Sequence, residues 1–261
     1  MVNKNLGDKN LSDLMFSGML MSGIGGCVAG SALFLGAFLG YFVKLPQRLV
    51  ASIMAFGAGV LMSAVSFELL DEAYALGGPM HLAVGFFLGA TIFTIANIYL
   101  ARKGAKHRKR SDKPEDDDEN NAVAIAVGSV IDGVPESMAI GLTMISGGMI
   151  STATVIAIFL SNIPEGLSST RGMKKTGWKP VKIFSLWFFI VVITSLSAMA
   201  GFSVFSHLPV ELTAITLAVA AGGILAMLVD TMIPEAFAKT HNLAGMVTVI
   251  GFTISFILSK F

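Results

Sequence analysis

From Met15 to Val43 the chain runs without a single charged residue, and comparable apolar stretches recur along its whole length. About 20 apolar residues, at a rise of 1.5 Å each, cross a ~30 Å hydrocarbon core as a helix whose backbone polar groups are all paired internally. Spans are expected over 14–43, 49–74, 81–101, 121–145, 149–171, 181–205, 209–235 and 244–260. The expected fold is therefore an all-α polytopic membrane protein, with eight transmembrane helices in one transmembrane domain over 1–261. Composition agrees, since 54% of residues are hydrophobic and 13% charged, against roughly 45–50% and 25% in a soluble domain. The first apolar run is too long for the apolar core of a cleaved signal and reads as an uncleaved span. The one cysteine, Cys27, excludes an intrachain disulfide framework.

Crossing parity divides the connections between eight spans into two sets. Fifteen of the 18 Lys and Arg fall on one side, leaving Lys4, Lys9 and Lys260 on the other. By the positive-inside rule the rich side is cytoplasmic and both termini lie outside, as in a multi-pass protein of the cytoplasmic (inner) membrane. A charged cytoplasmic loop over 102–120, "RKGAKHRKRSDKPEDDDEN", divides three spans from five and reads as a solvated linker. Two stretches, "AGVLMSAVSFELLDEA" (58–73) and "AGGILAMLVDTMIPEA" (221–236), align without a gap. Span 2 runs outward and span 7 inward, so the echo predicts a 3+2+3 arrangement, with spans 1–3 and 6–8 as an inverted repeat around spans 4–5.

Spans 4 and 5 carry "DGVPES" and "SNIPEG", joined by a tight "SGGM" turn. They contain Asp132, Glu136 and Glu165, with no Lys, Arg or His before Arg171. A charge at a helix centre in a bilayer costs at least ~2.5–3.5 kcal/mol, so these acids must be protonated, hydrated or paired with a cation the chain does not supply. Asp132 and Glu136 share one helical face, Ser161 and Glu165 repeat that spacing, and Asn162 lies three residues from Glu165. Pro135 and Pro164 are expected to break their helices and free the carbonyls of Ile131 and Leu160, and Pro234 does the same for Asp230. The alternative is that the prolines only kink helices for packing while the acids, protonated, donate hydrogen bonds between helices.

These residues resemble those of the ZIP (Zrt/Irt-like) metal transporters. That family has a His-Asn-x-Pro-Glu-Gly type motif in its fourth span, a His-x-x-Pro-(His/Glu)-(Glu/Gly) type motif in its fifth, and an "AAGG…IPEA" pattern in its seventh. The matching stretches are "DGVPES", "SNIPEG" and "AAGGILAMLVDTMIPEA". The resemblance implies a divalent-cation transporter, a homodimer, in which spans 4 and 5 hold the metal and move against a frame built from the repeats. Carried over by position, the metal ligands are Asp132, Glu136, Ser161, Asn162 and Glu165. Asp132 stands where zinc-transporting members usually have histidine, and Ser161 where they have histidine or glutamine. Gly133 and Ser137 also depart from the pattern. Span 6 has no carboxylate, so the second metal site of some relatives is not expected.

Zinc favours imidazole and thiolate, whereas an all-oxygen set suits manganese, magnesium or calcium and is acceptable to ferrous iron. His81, His107, His207 and His241 fall in loops or near span ends and read as surface residues. The expected substrate is a divalent ion (Zn, Mn, Fe or similar), with no prosthetic cofactor, membrane lipid as the surrounding partner and no nucleic-acid partner. Glu68, Asp71 and Glu72 form a candidate acidic mouth, and Asp230 and Glu235 a candidate exit waypoint; solvation of a helix end or a structural hydrogen bond accounts for either group equally well. Ser66 is an extra candidate oxygen, and Met62, Met138 and Met144 read as core fillers. No His-Glu-x-x-His, Gly-x-Ser-x-Gly or Gly-x-Gly-Asp motif occurs, so no enzyme is expected. Two other functions stay open: a metal-binding but non-transporting sensor or degenerate homologue, and a proton-linked transporter of another solute.

Overall fold

The structure is a computed structural model that describes residues 2–102, 119–147 and 151–260, with side chains over 13–102, 128–145 and 151–260. Most of the charged loop expected over 102–120, with His107, lies outside the described residues, as does part of the "SGGM" turn. The described residues are helical apart from short connections, with no strand among them. In chain order the helices are α1 (Val2–Phe42), α2 (Gln47–Ala64), α3 (Leu70–Leu100), α4 (Glu119–Gly147), α5 (Thr152–Lys175), α6 (Pro180–Phe205), α7 (Val210–Met227), α8 (Ile233–Thr240) and α9 (Ala244–Leu258). α1 begins at Val2, well before the apolar run itself.

Among the described residues, four stretches are long and apolar enough to cross a membrane: Asp13–Phe42, Gln47–Leu100, Pro180–Phe205 and Val210–Leu258. Two of them are too long for a single crossing. Gln47–Leu100 has 54 residues, about 80 Å at 1.5 Å each, and it turns at Gly78, whose φ of 70° and ψ of −175° are not helical. Pro79 follows directly and cannot donate to the ladder, so the turn is fixed from both sides. Val210–Leu258, with 49 residues, turns at His241, where φ is 45°.

These breaks belong to a repeat whose register runs well beyond the 16-residue echo. Adding 163 to Pro46, Gln47–Ala64, Val65–Leu69 and Gly78 gives Pro209, Val210–Met227, Leu228–Met232 and His241. Each pair matches in structure: an extended proline before the helix, an 18-residue α-helix, a five-residue π turn, and a residue at positive φ. The C-terminal residues of α1 and α6, Phe42 and Phe205, keep the same offset. Pro234 follows the second π turn, but Asp71 occupies the equivalent place after the first, so proline is not what makes these turns.

Packing follows the same symmetry. The second helix of each repeat meets the third helix of the other, α2 on α9 and α7 on α3, while α1 packs on α5 and α6 on α4. Glycines permit the close crossings. A Cβ at Gly59 or Gly251 would lie 1.9 or 2.1 Å from the carbonyl oxygen of Thr248 or Phe56, and one at Gly222 or Gly89 would lie 2.0 or 1.9 Å from that of Phe86 or Val219. Small residues at helix crossings are the membrane solution to close packing, because lipid tails leave apolar side chains nothing to gain by association. The first helix of each repeat thus joins α4 and α5, and the rest of both repeats interlock as a second group. α2 and α8 also touch, and α2 against α5 and α7 against α4 connect the two groups.

Candidate functional site

α5 is not among the apolar stretches, and its polarity has a structural reason. Ser161, Asn162, Glu165, Ser168, Ser169 and Thr170 are all buried in protein, so α5 presents little polar surface to lipid. α1 covers it closely: a Cβ at Gly36 would lie 2.2 Å from the carbonyl oxygen of Ile163, and one at Gly166 would lie 2.1 Å from that of Leu33. α6 covers α4 in the matching way through Gly141 and Gly201. The two Pro-Glu helices are therefore sheathed by the first helices of the repeats, and they touch one another.

The five expected ligands are all buried: Asp132 at 4%, Glu136 at 2%, Ser161 at 2%, Asn162 at 4% and Glu165 at 4% exposure. Two of them have defined partners that narrow what they can do. The Asn162 amide (Nδ2) donates to the carbonyl oxygen of Ala29 on α1 at 3.0 Å, leaving only Oδ1 to act as a ligand. Ser161 Oγ donates to Ile158 O at 2.9 Å, which leaves its lone pairs available as acceptors. Among the described residues no three His, Cys, Asp or Glu side chains come together at metal-holding distances. A metal here would take neutral oxygens alongside its carboxylates.

The expected helix breaks at the prolines do not occur. α4 runs unbroken through Pro135 and α5 through Pro164. A proline removes one hydrogen bond, and in a helix packed on several sides its neighbours hold the remaining turns in place. The region around Pro164 faces α2, since a Cβ at Gly57 would lie 3.2 Å from Pro164 Cγ, 3.2 Å from Ser161 Cα and 3.5 Å from the carbonyl oxygen of Leu160. The carbonyl relieved of its amide partner thus lies at the α2–α5 contact.

The candidate pathway residues separate into two kinds. Glu68 sits in the first π turn, and its Oε2 accepts from Ser151 Oγ at 2.8 Å and Thr154 Oγ1 at 3.4 Å. Ser151 is itself the N-cap of α5, accepting from the amide of Thr154 at 3.1 Å, so Glu68 lies against the positive end of that helix. Near the other end of α5, Ser168 Oγ donates to Glu235 Oε1 at 2.9 Å. Asp71 and Asp230 are exposed, and Glu72 is half-buried. Asp230 receives a long 3.4 Å hydrogen bond from Asn97, so this contact is with α3 and not with α5. Ser66 Oγ donates back to Met62 O within its own helix. Met144 receives a contact from Ser22 Oγ at 3.3 Å on α1.

Reading the sequence missed Ser151, Thr154 and Ser168. The signal was present as spacing, because Thr154, Ser161, Glu165 and Ser168 recur at intervals of seven, four and three and so line one helical face. That face runs from Glu68 at one end of α5 to Glu235 near the other. The chain matches no protein-family model and none of the curated proteins with which it was compared.

Proposed function

We propose that the chain is a divalent metal cation transporter of the cytoplasmic membrane, crossing it eight times with both termini outside. The metal is held by carboxylates of α4 and α5 and moves by alternating access. One observation carries this reading: Asp132, Glu136 and Glu165 are buried on two touching helices, and those helices contain no basic residue before Arg171. Ionisable groups kept at such a cost inside an apolar chain serve ions or protons. Asp132, Glu136, Ser161 and Glu165 supply the ligands, with Asn162 contributing its amide oxygen. Glu68 and Glu235 bracket the polar face of α5 as entry and exit waypoints.

The 163-residue register supports the 3+2+3 arrangement, because equivalent spans that lie five crossings apart, an odd number, run in opposite directions. The resemblance to ZIP transporters supports the substrate class and a homodimer. A ligand set of carboxylates, hydroxyl and amide oxygens favours manganese or ferrous iron over zinc. The absence of three converging ligating side chains among the described residues favours a second reading, proton-linked transport of another solute, since protons can neutralise each acid separately.

The test is uptake of manganese, iron(II), zinc, cadmium and magnesium by the full chain in liposomes, alongside Glu136→Gln and Glu165→Gln. Metal uptake by the native chain that is lost in both variants supports the reading. A folded native chain that moves protons but no divalent ion replaces it with the second, and metal binding without flux makes the protein a sensor.

A further inference from the structure

Between α1 and α6 lies an open cavity of about 360 Å³, lined by Ser31, Phe34, Leu35, Phe38, Phe188 and Val191. This is within the ~300–1,000 Å³ range of small-ligand sites. Its lining is apolar, because the only side-chain hydroxyl there, on Ser31, donates to Val28 O at 2.6 Å in its own helix. The groove continues into an aromatic rim. Phe34 lies 5.4 Å from Phe184, which in turn lies 5.8 Å from Tyr41 and 6.1 Å from Phe42, between ring centroids.

Beyond the rim stand two exposed lysines that are already held in place. Lys174 Nζ donates to the carbonyl oxygen of Tyr41 and sits 4.5 Å over its ring, and Lys182 Nζ sits 4.5 Å over the ring of Trp178. Neither has a carboxylate partner among the described residues. We propose that this groove binds one anionic phospholipid, with an acyl chain along α1 and α6 and the phosphate against Lys174 and Lys182.

Three observations select that occupant. From Ser31 to Phe42 the helix rises about 16 Å, close to half of a ~30 Å hydrocarbon core, so groove and rim together have the depth of one leaflet. The order along the groove, apolar cleft then aromatic rings then lysines, is that of a lipid from tail to headgroup, and basic pockets between helices take lipid phosphates. A second copy of the chain fits the same face poorly, because a two-fold axis along the membrane normal would bring two lysine rims together.

The test uses the full chain in detergent, incubated with equimolar dioleoyl phosphatidylglycerol and dioleoyl phosphatidylcholine, with bound lipid counted by native mass spectrometry. One phosphatidylglycerol per chain is expected, retained about tenfold to thirtyfold over phosphatidylcholine, from the contribution of two lysines at an anionic headgroup. Lys174→Gln with Lys182→Gln brings the ratio near one, and Leu35→Trp, which fills the cleft, removes both lipids; circular dichroism checks that each variant is folded. Equal retention of the two lipids by the native chain overturns the headgroup assignment, whatever the variants do. A lipid-free dimer overturns the proposal and gives the groove to a second copy.

Discussion

Replacing Gly89 with alanine tests the interlocked repeats directly. A Cβ there would lie 1.9 Å from the carbonyl oxygen of Val219, against a limit near 3.0 Å that real Cβ atoms respect, so α3 and α7 must part by about 1 Å. The obstacle is backbone on a packed helix, which no rotamer change relieves. Overpacking of this kind costs about 1–3 kcal/mol. At about 2–4 °C per kcal/mol for a chain of this size, the melting temperature should fall by about 2–12 °C. Gly251→Ala, 2.1 Å from Phe56 O in the equivalent crossing of α2 and α9, should behave alike. Gly245, with nothing within 4 Å, is the control; there alanine gains helix propensity of up to about 1 kcal/mol. The assay is thermal unfolding in detergent, followed by intrinsic fluorescence. A Gly89→Ala protein that melts with the native chain, or a Gly245→Ala protein that falls as far as the other two, would refute the close crossing.

Asn162→Ala removes the buried donor to Ala29 and should cost about 0.5–1.5 kcal/mol, read as a lower melting temperature. Asn162→Asp should cost more, because it sets a carboxylate against that same carbonyl oxygen. Trp187→Phe loses the 2.8 Å bond from Nε1 to Thr170 Oγ1 in a fully buried position, and about 1–3 kcal/mol with it; a Thr170→Val partner in a double-mutant cycle isolates the bond. Glu68→Gln keeps an acceptor for Ser151 but removes the charge, so the KM for divalent-ion uptake should rise severalfold with little change in maximal rate. Metal binds carboxylates only after they release their protons, so uptake should fall as the pH of the donor side is lowered. Uptake that rises on acidification would instead indicate proton-driven transport.

Much of the site could be read as residue types at helical spacing. Buried acids in an apolar chain stand out because spans 4 and 5 carry no other charge before Arg171, and their seclusion follows from the cost of exposing them to lipid. The fate of Pro135 and Pro164 could not be read, since whether a proline breaks a helix depends on the packing around the missing bond. α1 and α6 press on α5 and α4 through glycines and keep both helices continuous. Likewise nothing local shows that the Asn162 amide is held by the carbonyl oxygen of Ala29, 133 residues away, with only its Oδ1 left to face the site.

The sequence by itself determined that the chain is built of long apolar helices, because hydrocarbon tolerates no unpaired backbone and apolar length is written directly in the residue order. It also carried the repeat, in a 16-residue echo too small to show its extent. Only the tertiary structure decided that the register holds at 163 from Pro46 to His241, through two π turns that no residue pattern marks. It also decided that α1 and α6 leave their own repeats to sheathe α5 and α4. These outcomes depend on which helix surfaces meet, and a glycine earns its place in a crossing only through the backbone that comes to lie against it.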